Sequence, residues 1–205
     1  MRRLLIATTN PNKLREIRPL MGDLPIELLT LADLPTIPEP EESGRTFWEN
    51  ARIKAFAYAE ASRLPTVAED SGLEIDALDG DPGVYSARFL RPDATYGERF
   101  AEIYRRLAPV RDVDRKARFV TALAVANERE LLFETETHVE GRIAPEPAGV
   151  HGFGYDPIFF YAPLGKTTAE LTDPQKAVIS HRARAFRNLK QALRDGLLLG
   201  LREHA

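Results

Sequence analysis

The chain has 205 residues, 43% of them hydrophobic, which is enough to bury the core of a single domain spanning residues 1–205. It carries 28 basic and 31 acidic residues, so its net charge of −3 provides no general attraction to nucleic acid or to an anionic membrane. It contains no cysteine, which excludes disulfides and thiolate metal sites. No apolar segment approaches the length of a membrane span, and we expect a soluble cytoplasmic protein.

The first predicted elements are a short buried strand, LLIA, and a helix that begins soon after it. Asn10 is a favoured N-cap, Pro11 suits the first helical position and Gly22 is a stop signal. The segment TTNPNK, residues 8–13, therefore lies at a helix N-terminus, where unpaired N–H groups and the helix dipole favour an anion. With the charge of Lys13, this pattern predicts a phosphate site. The alternative is an ordinary Asn-Pro helix start with a solvated lysine.

A proline-rich loop comes next and leads into a second helix. Thr46 and Glu49 match a capping box, so we expect this helix from Thr46 to about Arg63. Asn50 and Lys54 are four residues apart and share a helix face, where they can present an amide and an ammonium group to one ligand. The alternative places both side chains at the rim of a helix that packs through its apolar residues.

Carboxylates stand on both sides of this helix. Glu41 and Glu42 in the loop, with Asp70 after the helix, could bind Mg²⁺ by a few oxygens, leaving water and phosphate to complete the octahedron. Glu69 and Asp70 come directly before a Ser-Gly pair, where we expect the strand at 66–70 to end or bend and to present them to a cleft. The alternatives are a solvated acidic loop and a polar strand terminus.

The rest of the chain mixes helical and strand patterns. Helical spacing covers 100–107, two strands at 118–126 and 131–139 read as a hairpin, and a short strand is expected at 158–161. The C-terminal part is mostly helical. These elements predict an α/β fold with a mixed sheet.

The segment HGFGYDPIFF, residues 151–160, combines two glycines with Phe153 and Tyr155. Glycines allow the backbone to approach a flat ligand closely, and an aromatic ring can stack on a base. The alternative is a tight turn that leads into an apolar strand.

The segment KAVISHRARA contains three cations and one polar residue that could interrupt a helix. Lys176, His181 and Arg182 can approach one site if the helix breaks near Ser180, which is an N-cap type of residue. If the helix is continuous, they are ordinary cations of a helix surface.

Five segments taken together resemble the Ham1, or inosine triphosphate pyrophosphatase, family in their order and spacing: ATTNPNK, EESGRTFWENARIKA, AEDSGLEIDALDGDPGVYSARF, PAGVHGFGYDPIFF and KAVISHR. The resemblance implies an elongated mixed α/β fold with a long central sheet, flanking helices and two lobes around a nucleotide-binding cleft. It also implies a homodimer. The implied reaction is hydrolysis of non-standard purine nucleoside triphosphates (ITP, dITP and XTP) to the monophosphate and pyrophosphate.

The resemblance also assigns roles to individual residues. It makes Asp70 the proton acceptor and a Mg²⁺ ligand, with Glu42 as the second metal carboxylate. The residues expected to bind the triphosphate are Thr8, Thr9, Asn10, Pro11, Asn12, Lys13 and Lys54, with Asn50 added from its place on the helix. The residues expected to contact the rest of the substrate are Ser71, then Phe153, Gly154, Tyr155 and Asp156 around the nucleoside, and Lys176, His181 and Arg182 around the base.

Three positions depart from the family pattern. Thr9 and Asp79 stand where glycine is common, and Glu69 stands where aspartate is common. Two other functions are alternatives. A Maf-like pyrophosphatase of different base specificity is disfavoured by HGFGYDP and KAVISHR, and a catalytically silent nucleotide-binding module is disfavoured by intact Asp70, Glu42 and Lys13.

Overall fold

A computed structural model describes residues 2–198, and within them it contains seven β-strands and five α-helices. The strands are β1 (Arg3–Ile6), β2 (Glu27–Thr30), β3 (Thr66–Ile75), β4 (Lys116–Ala126), β5 (Leu131–Ile143), β6 (Phe159–Tyr161) and β7 (Lys166–Thr167). The helices are α1 (Pro11–Met21), α2 (Phe47–Ser62), α3 (Tyr96–Leu107), α4 (Asp173–Ile179) and α5 (His181–Arg194).

The strands form one sheet in the order β2-β1-β3-β4-β5-β6-β7. β1 is parallel to β2 and β3, whereas β6 is antiparallel to β5 and β7. The sheet is therefore mixed, and the prediction of an α/β fold is confirmed.

The chain divides into two compact units. Within the described residues, the first unit comprises the chain up to Asp70, Thr121–Thr137 and the part from Arg182 onward. Its core joins side chains of β1, β3 and β4 to those of α1 and α5: Leu4, Ile6, Ile17, Met21, Val67, Leu123, Val125, Ala185, Phe186 and Leu189. Because these residues are apolar and buried, they supply the hydrophobic driving force for the first unit.

The second unit comprises Ser71–Val120 and His138–His181. Its core includes Leu73, Ile75, Phe89, Ile103, Leu107, Ala117, Phe119, Val139, Ile143, Tyr155, Ile158 and Phe159. Alternate residues at the end of β3, Leu73 and Ile75, face this core, as the period of a strand requires.

The predicted starts of the first two helices, α1 and α2, are confirmed. The side chain of Asn10 accepts hydrogen bonds from the backbone of Asn12 and Lys13, and α1 begins at Pro11. Thr46 and Glu49 form the expected capping box of α2. Local residue chemistry was sufficient here because a cap depends on neighbours only three or four positions away.

The structure corrects the expected end of the strand after Asp70. β3 continues through Ser71 and Gly72 to Ile75, so Asp70 lies within a strand and not at its end. The Ser-Gly pair lies inside a strand whose neighbours in the sheet are β1 and β4, and sheet pairing of the strand as a whole outweighs the local preference for a break.

Other boundaries also differ from the sequence patterns. β2 was not predicted, and β5 extends to Ile143. The helical C-terminal region breaks at Ser180, whose ψ of 147° is extended. Among residues 2–198, no helix combines the length and the apolar character needed to cross a membrane.

Candidate active site

Asp70 is held by two side chains of the first unit. Its Oδ1 accepts a hydrogen bond from Lys54 Nζ at 2.9 Å, and its Oδ2 accepts one from Asn50 Nδ2 at 3.2 Å. The Asp70 side chain is only 10% exposed. A buried carboxylate with a donor on each oxygen has a fixed orientation, which suits a group that must act on a substrate.

α2 presents Asn50 and Lys54 one helical turn apart. Asn50 is fully buried and Lys54 is 7% exposed, so the alternative that placed them at an exposed rim is wrong. Lys54 Nζ also donates to Glu42 Oε1 at 2.6 Å and therefore bridges two carboxylates. Burial alone would lower the pKa of Lys54, but the charges of Asp70 and Glu42 outweigh it and raise the pKa.

The loop that carries Glu42 is attached to α2 through Asn50. The backbone N–H of Gly44 donates to Asn50 Oδ1 at 2.8 Å. A Cβ at position 44 would lie 2.6 Å from that oxygen and 2.6 Å from the Cβ of Glu49. Glycine is therefore needed for this close approach.

The predicted phosphate segment lies at the start of α1. Asn10 Oδ1 accepts from the backbone N–H groups of Asn12 and Lys13, at 2.9 Å and 3.3 Å, so the expectation of unpaired N–H groups does not hold for these two residues. Thr8 Oγ1 accepts from the N–H of Asn10 at 3.2 Å, while Thr9 is exposed. The segment is thus ordered by its own side chains.

Lys13 has a negative partner within the protein. Its Nζ lies 3.7 Å from Glu69 Oε1, and its side chain is 17% exposed. Burial lowers the pKa of Lys13 below its usual value, with an additional contribution from the charge of Arg182, although Glu69 opposes the shift. An anion bound near Lys13 would therefore pair with an ammonium group that has already lost part of its hydration on folding.

Arg182 also lies in the first unit, against Glu69. Its Nε donates to Glu69 Oε1 and its Nη1 to Glu16 Oε2, both at 2.6 Å. The second oxygen of Glu69, Oε2, is buried without a hydrogen-bond partner in the described structure. Sequence reasoning missed this ion-pair network because Glu69 and Arg182 are 113 residues apart.

In the second unit, Asp156 organises the segment predicted to contact the nucleoside. Its Oδ2 accepts from the backbone N–H of Phe153 at 2.7 Å and from Lys176 Nζ at 2.5 Å. Its Oδ1 accepts from the hydroxyl of Thr168 at 2.8 Å, a partner that the sequence did not indicate. Lys176 Nζ also lies 4.9 Å from the centre of the Phe153 ring, a cation–π contact.

Gly152 makes the turn before Phe153 possible. Its φ is +72°, and a Cβ there would lie 2.1 Å from Asp156 Oδ2. The tight turn that was considered as an alternative is therefore present. It is compatible with a ligand site, because the same turn brings the Phe153 ring to Lys176.

The other predicted nucleoside residues have their own contacts within the second unit. Tyr155 is buried, its ring meets that of Tyr96 edge to face, and its hydroxyl donates to the carbonyl of Ser86 at 2.9 Å. Burial raises the pKa of Tyr155 well above its usual value. His181 stacks on Phe119 with ring centres 4.9 Å apart.

The remaining predicted residues are Ser71, which is partly buried, and Gly154, whose φ is +66°. The first unit therefore contains the predicted phosphate and metal residues: Thr8, Thr9, Asn10, Pro11, Asn12, Lys13, Glu42, Asn50, Lys54 and Asp70. It also contains Arg182, which was predicted to contact the base. The second unit contains Ser71, Phe153, Gly154, Tyr155, Asp156, Lys176 and His181. Lys176 and Arg182 lie in different units, and each has a carboxylate partner in its own unit.

The carboxylates of the first unit fit a Mg²⁺ ion that is completed by substrate and water. Within residues 2–198, no three His, Cys, Asp or Glu side chains cluster as a metal site made by protein ligands alone. Glu42 and Asp70 nevertheless bind the same ammonium group, at 2.6 Å and 2.9 Å. One or two carboxylates plus phosphate oxygens and water are the usual ligands of Mg²⁺ in nucleotide enzymes, so this pair is suitable.

Comparisons with known proteins identify the family of the chain. The Ham1 family model matches residues 4–192. Curated relatives described as dITP/XTP pyrophosphatases include those of Geobacter sulfurreducens, 44% identical over 94% of this chain and 97% of the relative, and Escherichia coli, 42% identical over 96% and 100%. The solved Ham1 protein from Coxiella burnetii has a TM-score of 0.89 at 39% identity and covers 96% of this chain and 100% of its own. The chain belongs to the Ham1 family.

Proposed function

We propose that this chain hydrolyses non-standard purine nucleoside triphosphates, namely dITP, XTP and ITP, to the nucleoside monophosphate and pyrophosphate. The observation that carries the proposal is the buried Asp70 carboxylate, held between Lys54 and Asn50 beside Glu42. The activity named for the curated relatives supports the choice of substrate.

In the proposed reaction, a water oxygen bonds to the α-phosphorus, and the bond between that phosphorus and the oxygen leading to the β-phosphate breaks. Asp70 orients the water and accepts its proton, because its carboxylate is fixed and partly accessible. Lys13 and Lys54 neutralise the negative charge that moves to the pyrophosphate leaving group.

Glu42 and Asp70 would hold Mg²⁺. When bound, the ion would supply charge stabilisation for the phosphate oxygens. Lys54 now lies between these two carboxylates, so a substrate phosphate that attracts its ammonium group would leave both carboxylates more exposed to a cation. We therefore expect triphosphate and Mg²⁺ to strengthen each other's binding.

In the second unit, Phe153 offers a ring for stacking on a base, and Asp156 keeps both Phe153 and Lys176 in place. Lys176, His181 and Arg182 are proposed to read the base. Hydrogen-bond donors placed at position 6 would bond to the 6-oxo group of hypoxanthine or xanthine. With adenine, the same donors would face the 6-amino group, which is itself a donor. Hydrogen-bonding sites of this kind reject a mispaired analogue strongly.

The role of Asp70 can be tested with Asp70→Asn, because asparagine keeps the shape of the side chain and removes its charge and basicity. We expect Asp70→Asn to fold and to release no detectable pyrophosphate from ITP in the presence of Mg²⁺. Asp79→Asn is the matched control, since Asp79 is exposed and its left-handed φ of 54° suits asparagine. Near wild-type turnover in folded Asp70→Asn would refute this role.

We also propose that the protein acts in the cytoplasm as a homodimer. The absence of cysteine fits a reducing compartment, and the dimer is implied by the family resemblance. Light scattering coupled to gel filtration would test the assembly: a mass of twice 23.0 kDa is expected, and a mass of 23.0 kDa would contradict it.

A further inference from the structure

Asn50 makes two hydrogen bonds that join separate parts of the proposed catalytic apparatus. Its Nδ2 donates to Asp70 Oδ2 at 3.2 Å, and its Oδ1 accepts from the backbone N–H of Gly44 at 2.8 Å. The residue is fully buried. Both ends of the amide are therefore used inside the protein.

The position of Asn50 in a helix is informative. Asparagine has a low helix propensity, and a buried amide is costly unless its hydrogen bonds are made. The neighbours Ala51 and Ala55 show that small apolar side chains fit this buried region of α2. An amide at position 50 is explained by what it bonds and not by packing or by helix formation.

The contact with Gly44 is equally specific. The room for a side chain at position 44 is taken by Asn50 Oδ1 and by the Cβ of Glu49, each 2.6 Å from where a Cβ would be. Gly44 is two residues after Glu42, so the hydrogen bond that its N–H donates to Asn50 restrains the loop that supplies the second carboxylate.

Lys54 and Asn50 differ in what substrate binding would do to them. The Lys54 ammonium is shared between Glu42 and Asp70 and would also be attracted by phosphate. The Asn50 amide is buried and neutral, so it has no comparable reason to leave Asp70. Asn50 can keep the carboxylate oriented while Lys54 engages the triphosphate.

We propose that Asn50 is a positioning residue for this reaction: it orients Asp70 through its nitrogen and the Glu42 loop through its oxygen. This inference rests on the proposed function, since Asp70 and Glu42 have their roles there. It differs from the expectation that Asn50 binds substrate, because a positioning residue affects turnover more than affinity.

The test is Asn50→Leu, which removes the amide without adding charge and keeps the branching of the side chain at Cγ. We expect kcat for ITP to fall roughly 100-fold, as a misplaced catalytic group commonly costs. The affinity for the non-hydrolysable α,β-methylene analogue of ITP, measured by calorimetry, should change by less than about threefold. Cooperative thermal melting would show that the variant is folded.

Two further variants make the experiment decisive. Gly44→Ala directs a methyl group at Asn50 Oδ1 and should also lower kcat with little change in affinity, so it tests the proposal even if Asn50→Leu does not fold. Asn188→Leu is the control, because Asn188 is exposed on α5 and bonds only to Thr135 among the contacts described, at 3.0 Å. It should match the wild type.

The outcomes separate this proposal from the proposed function. If the wild type and Asn188→Leu release pyrophosphate but folded Asn50→Leu keeps kcat within about threefold, the positioning role is wrong and the function stands. If kcat and analogue affinity fall in equal proportion, Asn50 acts by binding substrate and the positioning role is again wrong. If the wild type releases no pyrophosphate, the proposed function fails and this inference fails with it.

Discussion

Arg182 Nε lies 2.6 Å from Glu69 Oε1, and both side chains are almost fully buried, at 3% and 2% exposure. Burial would raise the pKa of Glu69, but the positive charges of Arg182 and Lys13 outweigh it and lower the pKa. Glu69 therefore stays charged within the first unit, where it links Arg182 to Lys13 of the proposed phosphate segment.

Arg182→Ala should destabilise the protein by about 3–5 kcal/mol, because it leaves Glu69 buried without its closest cation. Urea denaturation followed by circular dichroism measures this loss. Arg194→Ala, on the same helix, is the control, because it removes an exposed ion pair with Asp23, and it should change stability by no more than about 1 kcal/mol. A loss of similar size in both variants would contradict the importance of the pair.

Arg182→Lys tests whether Arg182 also reads the base, since it retains the positive charge and changes the donor geometry. A guanidinium has five N–H donors, so an arginine can keep its carboxylate partners and still donate to a 6-oxo group. We expect kcat/KM for ITP to fall by a factor that corresponds to a loss of about 1–3 kcal/mol in transition-state binding. The kcat/KM for ATP should change little. Equal losses would mean that Arg182 acts only through Glu69 and Glu16.

Gly152→Ala should destabilise the second unit more than Gly165→Ala does. Both glycines have positive φ, +72° and +63°, so both substitutions carry a backbone penalty of about 1–2 kcal/mol. Only at position 152 does the new Cβ meet another group, the carboxylate of Asp156 at 2.1 Å. We expect an additional loss of about 1–3 kcal/mol from this overlap. Equal melting temperatures for the two variants would show that the turn can relax.

The stability that Glu98 gives to the start of α3 should depend on pH. Hydrogen bonds from Arg91 and from Thr95 lower the pKa of Glu98 to about 2, below its ordinary 4.5. A group whose pKa is depressed by folding stabilises the protein above its unfolded value, so this contribution is complete above about pH 4.5 and disappears towards pH 2. In urea denaturation, Glu98→Gln should be less stable than the wild type at neutral pH, and the difference should vanish towards pH 2. A difference that does not change with pH would refute the assignment.

Features that depend on near neighbours in the sequence were predictable. The N-cap at Asn10 and the capping box of Thr46 and Glu49 follow from side chains that bond within three or four residues. The continuation of the strand beyond Asp70 was not predictable from near neighbours, because pairing within the sheet overrides the local preference of Ser71-Gly72 for a break.

The candidate site shows the same division. Spacing indicated that Asn50 and Lys54 share a face, but it did not reveal that both would be buried against Asp70, which is 16 to 20 residues further on. The partners of Arg182, Glu69 and Glu16, are 113 and 166 residues away and carry no local signal. Such pairs are fixed by the packing of α1, α5 and β3, so a sequence without its fold does not identify them.

The most direct test of the proposed function is the identity of the products formed from ITP. The wild-type protein should convert ITP, dITP and XTP to the monophosphate with one pyrophosphate released per molecule in the presence of Mg²⁺, and it should act much more slowly on ATP and on pyrimidine triphosphates. Chromatography of the nucleotide together with separate assays for pyrophosphate and orthophosphate distinguishes the outcomes. Release of orthophosphate with the diphosphate, a preference for modified pyrimidine nucleotides, or no hydrolysis of any triphosphate would contradict the account.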